Sequence, residues 1–127
     1  MPGTFLYSRD YEPPAPIVPT RISVPVGNTG RAVDVVALCD TGADITCVPR
    51  EMVADLGLVE VDEVRVQAYE GEPVVKPLYA ALLGVGGSYS QIVRVISFDG
   101  SDAILGRDLL NSLRLELDGP SQVLRLS

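Results

Sequence analysis

One stretch of this 127-residue chain gathers groups able to do chemistry: Leu38-Cys39-Asp40-Thr41-Gly42-Ala43-Asp44. A run rich in apolar residues (Val33, Val35, Val36, Ala37, Leu38) ends in a carboxylate, followed by a small hydroxyl residue, a glycine and an alanine. The pattern predicts a buried strand that delivers Asp40 to its end, and a sharp turn at Gly42 where a Cβ would clash. A lone carboxylate is costly to bury unless it is hydrogen-bonded or neutralised. Two readings meet that cost. Asp40 could close an Asx-turn, a common use of Asp-Thr-Gly at a strand end. It could instead be a catalytic carboxylate.

The rest of the composition narrows the chemistry. The chain has no histidine, which removes Ser-His-Asp and Cys-His catalysis and His-based zinc sites together. Hydrolysis, if any, must run on carboxylates. A net charge of -7 and a pI near 4.4 argue against nucleic acid or an anionic membrane as partner. No apolar run reaches the roughly 20 residues that span a bilayer. Met1-Pro2-Gly3-Thr4-Phe5 lacks a basic region followed by an apolar core, so the expected location is cytoplasmic. Cys39 and Cys47 flank the Asp40 turn and could face each other across neighbouring strands, although an intracellular chain usually keeps such residues reduced.

The elements that would position Asp40 are mostly strands. An apolar fraction of 46% and a mean hydropathy of +0.24 supply one domain with a real core. Residues 1–20 are proline-rich and read as an extended arm, with Tyr7, Tyr11 and Ile17-Val18 favouring docking over disorder. The globular domain is then 21–127. Arg21–Val26 and Arg31–Cys39 form a hairpin around Gly27-Asn28-Thr29-Gly30. Ile45–Val48 is a short strand, and Pro49 opens a helix over Arg50–Leu56 that Gly57 caps. Val59–Ala68 and Val74–Leu83 form a second hairpin with its tip at Glu70-Gly71-Glu72. Gly84–Ser88 is a turn, without the lysine or Ser/Thr-headed helix of a phosphate loop. Gln91–Phe98 and the very apolar Ala103-Ile104-Leu105-Gly106 are strands. A short helix spans Arg107–Leu113, and a terminal hairpin turns at Asp118-Gly119. Many short strands and two short helices predict an all-β barrel or sandwich.

In this order, the hairpin, Asp40-Thr41-Gly42-Ala43-Asp44, the short helix, the second hairpin and Ile104-Leu105-Gly106-Arg107-Asp108 resemble the retropepsin-like (single-lobe, retroviral-type) aspartic proteases. The resemblance runs from about Ile22 to the C-terminus. It implies an all-β, retropepsin-like acid-protease barrel, one lobe per chain, whose active site is formed by a homodimer. Two carboxylates about 3 Å apart share one proton, because like charges that close cannot both ionise. One activates water while the other polarises the scissile carbonyl. This chain carries one Asp-Thr-Gly, so Asp40 would come from each of two subunits.

The same resemblance assigns the remaining roles. Thr41 would reach across the two-fold axis, and the Gly42 backbone would approach substrate. Ala43, Asp44, Ile104, Leu105, Gly106 and Arg107 would support the active-site loop, with an Arg107–Asp44 ion pair; two unrelated surface charges are the plainer reading. Asp44 could also bind substrate backbone. Tyr69, Glu70, Gly71 and Glu72 occupy the place of the substrate-binding flap, where two carboxylates would favour basic substrates; Tyr69 could equally serve packing. Leu115, Leu117, Leu124 and Leu126 would face the subunit junction, since an unpaired hairpin this apolar invites aggregation. The resemblance implies a peptide or protein substrate, and no metal or other cofactor. The alternatives are a catalytically weak or inactive dimeric peptide-binding or scaffold module on the same fold, and a monomer whose Asp40 merely closes a turn.

Overall fold

The computed structural model describes residues 3–25, 31–67 and 71–127. Among these described residues ten strands and two helices follow in order: β1 (Gly3–Leu6), β2 (Ile17–Ser23), β3 (Ala32–Cys39), β4 (Cys47–Pro49), α1 (Arg50–Leu56), β5 (Val59–Val66), β6 (Val74–Val85), β7 (Tyr89–Phe98), β8 (Ala103–Leu105), α2 (Arg107–Leu110), β9 (Leu115–Asp118) and β10 (Val123–Leu126). The larger sheet runs β2-β3-β8-β4-β7-β6-β5, and a further β2–β6 pairing closes its first six strands into a barrel. Closure pairs the β2 edge, and β5 is left as the edge strand of this sheet among the described residues. Val18, Ile22, Ala37, Val48, Leu83, Leu105 and Leu109 are fully buried inside it. The fold is the all-β, single-lobe barrel with two short helices expected from the sequence.

Residues 3–20 pair with the rest of the chain. β1 pairs antiparallel with β10, from Gly3↔Leu126 to Leu6↔Val123, and β2 begins at Ile17, so a single strand runs through residue 20. Pro19 is tolerated in this central strand because its N and C=O face the same side. Its carbonyl accepts from Gly86 N at 2.9 Å, on the β6 side, where Pro19 lies beyond the paired register Thr20↔Val85. No ladder bond to β3 is lost, so proline's missing donor costs little here. Between the two strands, Tyr11 Oη donates to Asp102 Oδ2 at 2.6 Å and the Pro16 carbonyl accepts from Cys39 N at 3.0 Å.

β1 also changes the reading of the terminal hairpin. β1, β10 and β9 form a three-stranded sheet, and Leu124 and Leu126 are buried within the chain's own core. The large apolar groups this sheet leaves exposed are Leu6 (74%) and Leu117 (46%). Most of the hairpin's apolar surface is therefore covered without a second copy.

Smaller differences have local causes. The turn expected at Gly84 starts two residues later, because Gly86 and Gly87 are the glycines at positive φ (64° and 81°), a region they enter at no steric cost. α2 stops at Leu110, beyond which Ser112 N and Leu113 N bond the carbonyls three residues back and tighten the chain into turns. α1 has the expected bounds, and Gly57, at φ 67°, closes it in the left-handed conformation. The turn at 27–30 lies outside the described residues.

Candidate active site

Asp40 follows the last residue of β3, and its backbone N donates to Leu105 O of β8 at 3.0 Å. β3 and β8 run parallel, with Ala37↔Ala103, Leu38↔Ile104 and Cys39↔Leu105 in register. Alternation buries Ala37, Cys39, Ala103 and Leu105, while Leu38, Ile104 and the Asp40 side chain share the opposite, half-buried face. The carboxylate is thus held at the mouth of a packed core by two apolar strands.

Its two oxygens differ. Oδ1 accepts from Gly42 N at 2.9 Å, while the Asp40 carbonyl accepts from Ala43 N at 3.1 Å. That is the Asx-turn, so the first of the two sequence readings is physically present. It occupies one oxygen. Among the described residues Oδ2 accepts no hydrogen bond, which leaves it available for other chemistry. Gly42 is not at positive φ; a Cβ there would lie 3.2 Å from Asp40 Oδ1. The turn expected here is present at residues 41–42, and what crowds a Cβ in it is the carboxylate rather than a positive φ.

The loop is held from behind by the Gly106-Arg107-Asp108 segment. Arg107 Nη1 donates to Thr41 O at 2.6 Å, its Nη2 pairs with Asp44 Oδ1, and its backbone N donates to Ala43 O at 2.9 Å. One residue therefore fixes three positions of the Asp40 loop. Gly106 packs still closer: an added Cβ would stand 2.8 Å from the Ile45 carbonyl carbon and 3.0 Å from Ala43 O. Such distances admit glycine alone without moving the loop backbone.

A second brace was not anticipated from the sequence. Thr46, fully buried, donates from N and Oγ1 to Asp108 Oδ2 and Oδ1 at 3.0 and 2.7 Å. Its hydroxyl also accepts from Gly106 N at 3.1 Å. The available signals were a threonine between Ile45 and Cys47 and an aspartate two residues beyond Gly106. Neither residue names its partner.

Cys39 and Cys47 are both free. They lie on β3 and β4, which flank β8 on opposite sides. Two strand spacings separate them, roughly 10 Å, so they do not face each other and cannot bridge. Burial pushes the Cys39 thiol from its ordinary 9.0 up to about 12. Burial also raises Cys47, against an opposing pull from Lys76, with Asp108 and Asp40 adding to the rise.

Of the flap residues, Tyr69 and Glu70 lie outside the described residues. Gly71 takes φ 98° and Glu72 is exposed. β5 and β6 pair from Val59↔Ala80 to Val66↔Val74, with a bulge between Glu60 and Asp62. Two concavities among the described residues lie away from Asp40. One, about 570 Å³, is bordered by Arg21, Asp34 and Tyr89; another, about 380 Å³, by Phe5, Val85 and Leu126.

Over residues 28–112, more than half of its length, the sequence matches the family described as "gag-polyprotein putative aspartyl protease". The chain belongs to this family of retropepsin-like aspartic proteases. The protease's fold is also that of solved members. A retropepsin-like aspartic protease from Rickettsia conorii superposes with a TM-score of 0.62 at 17% identity, covering 99% of this chain and 91% of that one. The simian foamy virus (mac) protease gives 0.57 at 19% identity, covering 76% and 92%. A foamy viral protease–reverse transcriptase gives 0.58 at 18% identity, covering 82% of this chain and 13% of that one. No curated protein sequence matches the chain. Among the described residues, no helix is long and apolar enough to cross a membrane.

Proposed function

We propose that this aspartic-type endopeptidase hydrolyses peptide bonds with a water activated between two Asp40 carboxylates, one from each subunit of a homodimer. The observation that carries the reading is the unequal pair of Asp40 oxygens, one fixed by Gly42 N and one open, on a loop immobilised by Arg107 and Gly106. A lone carboxylate can hold a water but cannot also donate a proton to the scissile carbonyl. Two sharing one proton can do both, and they titrate as a unit. β1 and β9 are the outer strands of the terminal sheet and carry exposed Leu6 and Leu117; both edges suit pairing with a second copy. Thr41, exposed next to Asp40, would reach across the two-fold axis, and the β5–β6 hairpin would close over bound peptide.

The test is cleavage of a mixed peptide library between about pH 4 and pH 7 by wild type and by Asp40→Asn. Cleavage by wild type alone supports the dyad, and cleavage that survives the substitution excludes it. Adding excess Asp40→Asn to wild type should suppress activity as mixed dimers form; undiminished turnover would rule out a shared site. A verified dimer that cleaves nothing would favour a peptide-binding module instead.

A further inference from the structure

Strand order builds a shelf beside Asp40. Leu38, Ile104 and Cys47 stand opposite one another on β3, β8 and β4. All three are half-buried, on the face that carries Asp40. Neighbouring strands are about 4.8 Å apart, so this apolar floor extends roughly 10 Å from the strand of Asp40 to Cys47.

At its far end lies Lys76, the single lysine of the chain. It projects from β6, and its Nζ donates to Ser97 O at 3.1 Å; Ser97 stands opposite Val48, the residue after Cys47. The Cys47 thiol lies within electrostatic reach of the Lys76 ammonium and of the Asp108 and Asp40 carboxylates. Leu78, on the same face of β6 as Lys76, lines a groove of about 330 Å³ with Ile45 and Asp108, so this face turns towards the Asp40–Thr46 loop. Lys76 is half-buried and forms no ion pair among the described residues, where six other pairs are made. A partly desolvated ammonium with two unused N–H groups is complementary to a carboxylate.

We propose that Lys76 is a specificity-determining residue of the protease. Its ammonium receives an acidic side chain of the substrate, two or three residues from the scissile bond. An extended peptide rises about 3.3 Å per residue, so that separation matches a roughly 10 Å shelf. This inference rests on Asp40 as the centre of cleavage. The exposed Glu72, at the hairpin tip, would act at a different substrate position.

A random octapeptide library is digested with wild type and with Lys76→Arg, Lys76→Met and Lys76→Glu. The same library, immobilised, is panned with the Asp40→Asn protein with and without Lys76→Met. Wild type should favour Asp or Glu over Asn or Gln at one position by roughly tenfold, the strength of a partly screened charge-assisted hydrogen bond. The preference should persist in Lys76→Arg, vanish in Lys76→Met and invert towards Lys or Arg in Lys76→Glu. A lysine that only tethers β6 to β7 would change melting temperature and rate but not the preferred residue. An unchanged cleavage profile in Lys76→Met would overturn the proposal and leave the hydrolytic assignment standing. If no peptide is cut, panning decides: acidic peptides lost on Lys76→Met support recognition by Lys76 while the hydrolytic assignment falls, and retention independent of Lys76 refutes it.

Discussion

Thr46 and Asp108, 62 residues apart, are joined by two hydrogen bonds, from Thr46 N at 3.0 Å and from its hydroxyl at 2.7 Å. The same hydroxyl accepts Gly106 N. One buried side chain thereby ties the segment after Asp40 to the segment after β8.

Thr46→Val keeps the shape and deletes the oxygen. Gly106 N then loses its acceptor and Asp108 loses a donor, at a cost of about 2–4 kcal/mol. Thr46→Ser deletes a methyl group and keeps the network, costing about 1 kcal/mol. Denaturant unfolding should rank valine well below serine, although valine is the more apolar; the reverse order would mean that packing matters more than the network.

Gly106→Ala directs a methyl group at the backbone of Ala43 and Ile45. Overpacking of this kind costs about 1–3 kcal/mol, and the strain falls on the Asp40 loop. Peptidase activity should drop more than stability does. Thermal melting beside single-substrate kinetics would show it, and an alanine variant at full activity would disprove the contact.

Alkaline pH should destabilise the protein through two groups. The Tyr11 hydroxyl is pushed from 10.0 up to about 12, first by its hydrogen bond to Asp102 and then by burial and negative charge. Burial pushes Cys39 up to about 12. Both folded-state values lie above the unfolded ones, so the stabilisation is complete below about pH 9 and is lost as pH rises towards 12. Melting temperature should be level near neutrality and fall above pH 9. Tyr11→Phe should remove the part of that fall between pH 10 and 12.

On the acid side, the hydrogen bond from Arg21 holds the Asp34 carboxyl below its ordinary 3.8, and the Arg21 charge adds to it. This contribution persists above pH 3.8 and fades only as pH drops through the lowered value. The Arg21–Asp34 ion pair should therefore persist throughout an assay at pH 4–7, and Asp34→Asn should leave melting temperature there nearly unchanged because the pair is exposed.

Phe5→Ala should destabilise by about 2–3 kcal/mol, since Phe5 packs on the core and its ring lies against Gly86. Removal of residues 3–6 should go further and expose Leu124 and Leu126, with aggregation visible by light scattering. A truncated protein that melts like the parent would show that β1 is dispensable.

The sequence revealed the parts whose signals are local. The apolar run into Asp40, Pro49 and Gly57 around α1, and Ile104-Leu105-Gly106 each announce themselves within a few residues. What it hid depends on partners far along the chain. Pro19 looked incompatible with a central strand because the side its missing donor faces is set by β6. Cys39 and Cys47 looked adjacent because the strand between them, β8, arrives more than fifty residues later. Thr46 and Asp108 each fit an ordinary local role, and only the folded loop brings them together.

The pairing of β1 with β10 also has a temporal consequence. During synthesis β1 emerges with nothing to pair against until its partner residues 123–126 have been made. Likewise β3 waits for β8 before Asp40 has its neighbour Leu105. Contacts between such distant segments make folding slow, and the nascent chain carries uncovered apolar strands meanwhile. The Asp40 loop is therefore assembled late, and its carboxylate stays unbraced until β8 has joined β3.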